Sequence, residues 1–194
     1  KEKDISPEDF VINFTGEYTR LGAIDTVIES FIKVSAQIPR AKLSLAVRIK
    51  NQKDADKKKE VVRKLKENGV LDRVSFFDNG SYKMAPVYNL CDVSLFPVEN
   101  MKGKFDIPLA VVEAMACEKP MILSDLPILK ELTSPTSSVI IPKGDAEALS
   151  KAILDLYNNP EKRERMGKEA RKFVEQRFDI KNIAAIYQKI YEIL

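Results

Sequence analysis

A chain of 194 residues with 44% hydrophobic and 31% charged content is long enough to bury one sizeable core. Its net charge of +3 is spread along the chain, too weak and diffuse a balance to point to nucleic acid. There is no histidine, which excludes imidazole metal sites and every His-based triad, and no apolar run reaches the roughly 18 residues of a membrane span.

The elements alternate. Phe10 to Phe14 reads as a strand, and the turn Thr15 to Gly22 leads into an amphipathic helix from about Ala23 to Gln37. Leu43 to Ile49 is a second strand, followed by a charged helix from Asp54 to Asn68 that Gly69 closes. The lysines of that helix form a solvated face over Val61, Val62 and Leu65. Val74 to Phe77 is a third strand and Asp78-Asn79-Gly80 a turn. A short helix at Pro86 to Cys91 precedes the strand Val93 to Phe96. The helix Pro108 to Cys117 precedes Pro120 to Leu123, a short helix covers Pro127 to Leu132, and Val139 to Ile141 is the last strand. Asp145 caps Ala146 to Asn158, and two helices, Pro160 to Gln176 and Ile180 to Ile193, close the chain. Strands apolar nearly throughout and alternating with helices predict an α/β domain: a Rossmann-like, doubly wound parallel sheet of about six strands with C-terminal helices over 160–194. Cys91 and Cys117 lie in apolar segments and are expected to pack as free thiols of a reducing cytoplasm.

Ligands of such sheets bind outside the carboxyl ends of the strands, and three ends are unusual here. Thr15 to Gly22 holds two glycines, Gly16 and Gly22, and Arg20 ahead of a helix N-terminus, a weak phosphate motif without a Walker lysine. Val47-Arg48-Ile49-Lys50 ends a strand in two basic residues. Taken singly, a plain turn and a solvated loop explain these two. The long loop Pro97 to Asp106 is harder to explain as scaffold, because it leads to an acid within an apolar helix.

That helix is opened by Pro108, with Leu109, Val112 and Met115 or Ala116 at helical spacing on one apolar face. Glu113 sits between Val112 and Ala114. A carboxylate in a helix this apolar is costly to bury without a partner, so a ligand or a basic side chain is expected to meet it.

Several segments together resemble one family. Val87-Tyr88-Asn89-Leu90-Cys91-Asp92-Val93-Ser94-Leu95-Phe96-Pro97 is similar to a short helix, A-D-V, an apolar strand and a proline. Pro108 to Pro120 is similar to P-x-x-x-x-E-A-M-A-x-G-x-P, and Ile141 to Leu149 to v-p-x-g-D-x-x-a-L. From about Phe10 to Leu194 the chain resembles the C-terminal, donor-binding half of a GT-B glycosyltransferase of the family 4 type, whose members transfer sugars from nucleotide donors with retention. The resemblance implies that Glu113 holds the ribose hydroxyls of the donor. It implies that the turn from Gly16 to Arg20 contacts the diphosphate, that backbone amides ahead of Pro108 meet the sugar, and that Lys104, Ile107, Pro108 and Leu109 belong to the donor site.

The chain also departs from that pattern. The family pairs two glutamates eight positions apart, and eight before Glu113 stands Phe105, with Asp106 and Glu99 the nearest acids. Asp106 is therefore expected to share the catalytic role with Glu113. Arg20 is shifted, Leu21 or Gly22 takes the lysine position and Ala23 that of the following glycine. Arg48 and Lys50 replace the glycine-rich end of the second strand, where Arg48 is expected to restore the missing charge.

The implied partners are a nucleotide-sugar donor and, through an N-terminal domain absent here, a glycan or lipid-linked acceptor. Peripheral membrane association at the inner face follows for the full-length enzyme, with no nucleic acid, no metal and no cofactor beyond the donor. The chain starts at Lys1 and is expected to be one domain of a longer hexosyltransferase, inactive alone. Two alternatives stand: a degenerate, non-catalytic sugar-nucleotide-binding subunit, and half of a nucleotide-sugar epimerase of the same fold.

Overall fold

A computed structural model describes residues 5–78, 80, 82–103 and 107–193. Six parallel strands, β1 (Phe10–Gly16), β2 (Ala41–Val47), β3 (Val74–Phe76), β4 (Val93–Phe96), β5 (Met121–Ser124) and β6 (Ser138–Ile141), form one sheet in the order β3-β2-β1-β4-β5-β6. The expected doubly wound sheet is thus present. Strands β1, β2, β4 and β5 are almost wholly buried because helices cover both faces, while the edge strands β3 and β6 are partly exposed. The helices include α1 (Ile24–Ser35), α2 (Gln52–Glu67), α3 (Met84–Asn89), α4 (Leu109–Ala116), α5 (Pro127–Lys130), α6 (Ala146–Asn158), α7 (Pro160–Phe178) and α8 (Ile180–Ile193). Helix α1 packs against α6, and α4 against α7.

The order of strands reverses between β1 and β4, where Phe14 pairs with Leu95 on one side and Leu45 on the other. Crossovers leave β1 toward one edge and β4 toward the other, so the chain opens a crevice above their carboxyl ends. Local signals set the ends as expected in two places. Gly69, at φ 67°, closes α2, with its own N–H bonded to Lys66 O and that of Val70 to Leu65 O. Asp145 caps α6 by accepting from Ala148 N at 2.8 Å.

Two bounds differ in ways that affect the crevice. Strand β2 ends at Val47, not Ile49, so Arg48 and Lys50 belong to the following loop. Pro108 is the N-cap of α4, with ψ 110°, not its first helical residue.

At its other end α4 finishes in a double-bonded turn. Glu118 N–H donates to Met115 O and Lys119 N–H to Ala114 O, which requires a left-handed residue between them. Glu118 supplies it at φ 59°, the one non-glycine with positive φ among the described residues. Helix α7 rests on this turn through Gly167, where a Cβ would lie 2.2 Å from Glu118 O.

Candidate functional site

A cleft of about 1060 Å³ lies above the carboxyl ends of β1 to β4. The three unusual strand ends converge on it. Thr15, Gly16 and Glu17 come from the end of β1, Arg48 and Lys50 from the loop after β2, and Gly103 and Ile107 to Leu109 from the segment before and into α4. Phe77, Tyr82 and Met84 line its end near β3, with Phe77 and Tyr82 edge to face at 4.9 Å between centroids.

Helix α4 is oriented differently from the expectation. Its core face is Val111, Ala114 and Met115, while Leu109 is 70% exposed and lines the cleft with Ala110, Val112 and Glu113. The helix is apolar around most of its circumference, so spacing alone did not select a face. Glu113 is correspondingly exposed to the cleft rather than buried in the core. It has a partner: the Tyr88 hydroxyl donates to Glu113 Oε2 at 3.1 Å. Tyr88 is fully buried. Burial raises its phenol, a contact with Thr15 opposes this and the Glu113 carboxylate adds to it, so Tyr88 is a protonated donor. Glu113 Oε1 has no protein partner among the described residues.

The start of α4 points into the same space. Its first internal bonds run from Val111 and Val112 N–H to Pro108 O, so the amides of Leu109 and Ala110 precede the ladder. Both residues line the cleft, and the positive end of the helix dipole lies there.

The cations are arranged unevenly. Arg20 does not line the cleft. Its Nε and Nη2 bind the two oxygens of Glu17 at 2.6 and 2.5 Å, and its Nη1 reaches Gly103 O at 3.3 Å. Lys50 Nζ meets the same Glu17 carboxylate at 3.0 Å. Burial pushes the Glu17 carboxyl up, but the hydrogen bonds and charges of Arg20 and Lys50 outweigh it and hold the group at about 2. Arg48 lines the cleft, exposed, and pairs with no carboxylate among the described residues.

Glycine is required at two of these positions. A Cβ on Gly16 would sit 2.5 Å from the Phe14 ring, and Gly22, at φ 73°, lies against the Glu99 side chain. Glu99 is exposed outside the cleft lining, and its N–H bonds Leu21 O, tying the β1 and β4 loops together. Lys104, Phe105 and Asp106 fall outside the described residues.

Asp54-Ala55-Asp56 is an Asp-x-Asp sequence, a pattern that can hold a metal against a diphosphate and that bears on the expectation of no metal. It lies in α2, where residues two apart face different directions. Asp54 is buried, accepting from Thr19 Oγ1 at 2.8 Å and Lys50 N at 3.1 Å, whereas Asp56 is exposed and bonded to Gln52 and Lys59. The two carboxylates therefore do not converge. Asp54 instead joins the β1 turn to the β2 loop.

Sequence reasoning missed Tyr88, Glu17 and the Phe77–Tyr82 wall as site residues. Glu17 stands between Gly16 and Arg20, within the turn already singled out, and an acid three residues before an arginine was the available signal.

Known proteins share this architecture. Sucrose-phosphate synthase from Thermosynechococcus elongatus superposes with a TM-score of 0.80 at 24% identity, covering 97% of this chain and 46% of that one. HepE from Anabaena, solved in complex with UDP, gives 0.83 at 19%, covering 96% and 49%. The C-terminal domain of a glycosyl transferase group 1 family protein from Francisella tularensis gives 0.76 at 18%, covering 88% and 87%. In sequence, the capsular polysaccharide biosynthesis glycosyltransferase CapM of Staphylococcus aureus is 24% identical over 190 residues, 95% of this chain and 46% of CapM. The chain thus spans about half the length of CapM. The family model for glycosyl transferases group 1 matches residues 1–173, and the chain belongs to that family.

Proposed function

We propose that this chain is the donor-binding half of a retaining hexosyltransferase, and that the cleft above β1 to β4 takes a nucleotide-sugar. The observation that carries this is Glu113, held at the mouth of the switch-point crevice by a buried tyrosine donor on one oxygen. Two vicinal ribose hydroxyls satisfy such a carboxylate, each donating one hydrogen bond. The Phe77–Tyr82 wall with Ala46 and Met84 suits a flat base. Between the two, Gly16 lets the backbone come close to a diphosphate, with Arg48 and the Leu109 and Ala110 amides supplying positive potential as the nucleoside diphosphate leaves. Lys104, Ile107 and Pro108 are assigned to the sugar side, with Asp106 sharing the catalytic role of Glu113. HepE was solved with UDP and with UDP-glucose, which supports a donor of this class.

The acceptor, a glycan or a lipid-linked sugar, comes from the other half of the enzyme, on the cytoplasmic side of the membrane. No helix among the described residues is long and apolar enough to cross a membrane, and the membrane association proposed for the full-length enzyme is peripheral. Helix α8 exposes Ile180, Ile186, Tyr187, Ile190 and Tyr191, and we assign this apolar face to contact with the other half. The donor is assigned to bind without a metal.

A second reading, a non-catalytic sugar-nucleotide-binding subunit, is favoured by one observation: Glu17 already occupies Arg20 and Lys50. Calorimetric titration with UDP, GDP and ADP and their sugar conjugates tests the proposal. Saturable binding of one nucleotide, lost in Glu113→Ala, supports it. Binding of none, with the fold intact, overturns the donor reading for this domain.

A further inference from the structure

Among the described residues, Lys50, which lines the cleft, and Arg20, which reaches the cleft-lining Gly103 from outside the lining, are held by one acid. Glu17 binds Arg20 through both oxygens at 2.6 and 2.5 Å and Lys50 at 3.0 Å. The acid lies beneath its partners: its side chain is 12% exposed, against 41% for Arg20 and 50% for Lys50. The cations are anchored from outside as well. Arg20 Nη1 donates to Gly103 O, and Asp54 accepts from the backbone of Lys50 and from the hydroxyl of Thr19. The cluster therefore joins the segments after β1, β2 and β4, three sides of the switch point.

We propose that Glu17 is a built-in competitor for the phosphate end of the cleft, occupying Arg20 and Lys50 as a ligand's phosphate oxygens would. A diphosphate entering the cleft takes these two cations over from Glu17. The diphosphate replaces Glu17 as the partner of both cations, and the displaced carboxylate remains nearby as a like charge. Glu17 therefore sets how tightly the cleft holds phosphate. This rests on the donor reading of the cleft and adds to it the residue that determines anion affinity. The carboxyl stays charged at neutral pH, since the two cations outweigh its burial.

The test is calorimetric titration with inorganic pyrophosphate, and with UDP in parallel, of the wild type, Glu17→Gln and Glu17→Gln combined with Arg20→Ala. Pyrophosphate affinity is expected to rise about tenfold in Glu17→Gln, and most of that gain is expected to vanish in the double variant. Unchanged or weaker pyrophosphate binding in a folded Glu17→Gln overturns the proposal, whatever UDP does. Stronger pyrophosphate binding with no Glu113-dependent UDP binding upholds the competitor and removes the donor reading. Should Glu17→Gln not fold, the wild-type Arg20 Nε–H resonance decides. It must shift as pyrophosphate saturates the cleft, and a resonance that stays fixed overturns the proposal.

Discussion

The hydroxyl of Tyr88, on α3, donates to Glu113, on α4, at 3.1 Å. This contact fixes the one acid of α4, which lines the cleft, and it does so from a side chain with no exposed surface. Tyr88→Phe removes the donor and leaves the ring. The expected result is a threefold to tenfold loss of nucleotide affinity, roughly the worth of one ordinary hydrogen bond, with little change in the melting temperature. Titration of the variant beside a thermal melt separates the two effects.

Glu118 holds a left-handed conformation that closes α4, at the position where the family motif has glycine. Its side chain is 50% exposed and lies 3.7 Å from Arg171, a surface pair of small worth. Glu118→Gly is expected to stabilise the fold by about 1 kcal/mol, read as an upward shift in melting temperature of roughly 2–4 °C.

Gly167 carries the opposite prediction. A methyl group there meets the backbone carbonyl of Glu118 at 2.2 Å, and backbone cannot swing aside as a side chain can. Gly167→Ala is expected to push α7 off the α4–β5 turn and destabilise by about 1–3 kcal/mol, despite the better helix propensity of alanine. Denaturant unfolding measures this, and a variant as stable as the wild type contradicts the packing.

The Glu17 cluster has a pH signature. Its carboxyl lies at about 2 in the folded chain against an ordinary 4.5, so the folded state favours the charged form. Its contribution to stability is therefore present above pH 4.5 and is lost as pH falls from 4.5 toward 2. Acid unfolding of Glu17→Gln is expected to lack that part of the decline. Equal acid limbs in the two proteins contradict it.

The order of elements was legible because its causes are local. Apolar strands such as Val93–Phe96 alternate with helices whose ends carry their own stops, as Gly69 and Asp145 show. The cleft was legible at the level of segments: the stretches around Gly16, Arg48 and Pro108 all arrive there. The facing of α4 was not. With apolar residues on most sides, its pattern cannot distinguish Leu109, which lines the cleft, from Met115, which fills the core. Arg20 looked available because the acid three residues before it, Glu17, was passed over, and Lys50 joins that pair from a loop 33 residues away, which local spacing does not encode. Tyr88 stands within the motif over residues 87–97, but its hydroxyl meets Glu113 only once α3 and α4 pack together.

The central claim is that Glu113 holds a ribose. The most direct measurement titrates the wild type and Glu113→Ala with UDP and with 2′,3′-dideoxy-UDP, substituting GDP or ADP and its dideoxy form if that nucleotide binds. Loss of the hydroxyls is expected to weaken wild-type binding by about a hundredfold or more, roughly the worth of two hydrogen bonds to a carboxylate, and to leave the variant's binding unchanged. Equal discrimination by both proteins would place the ribose elsewhere and contradict the account.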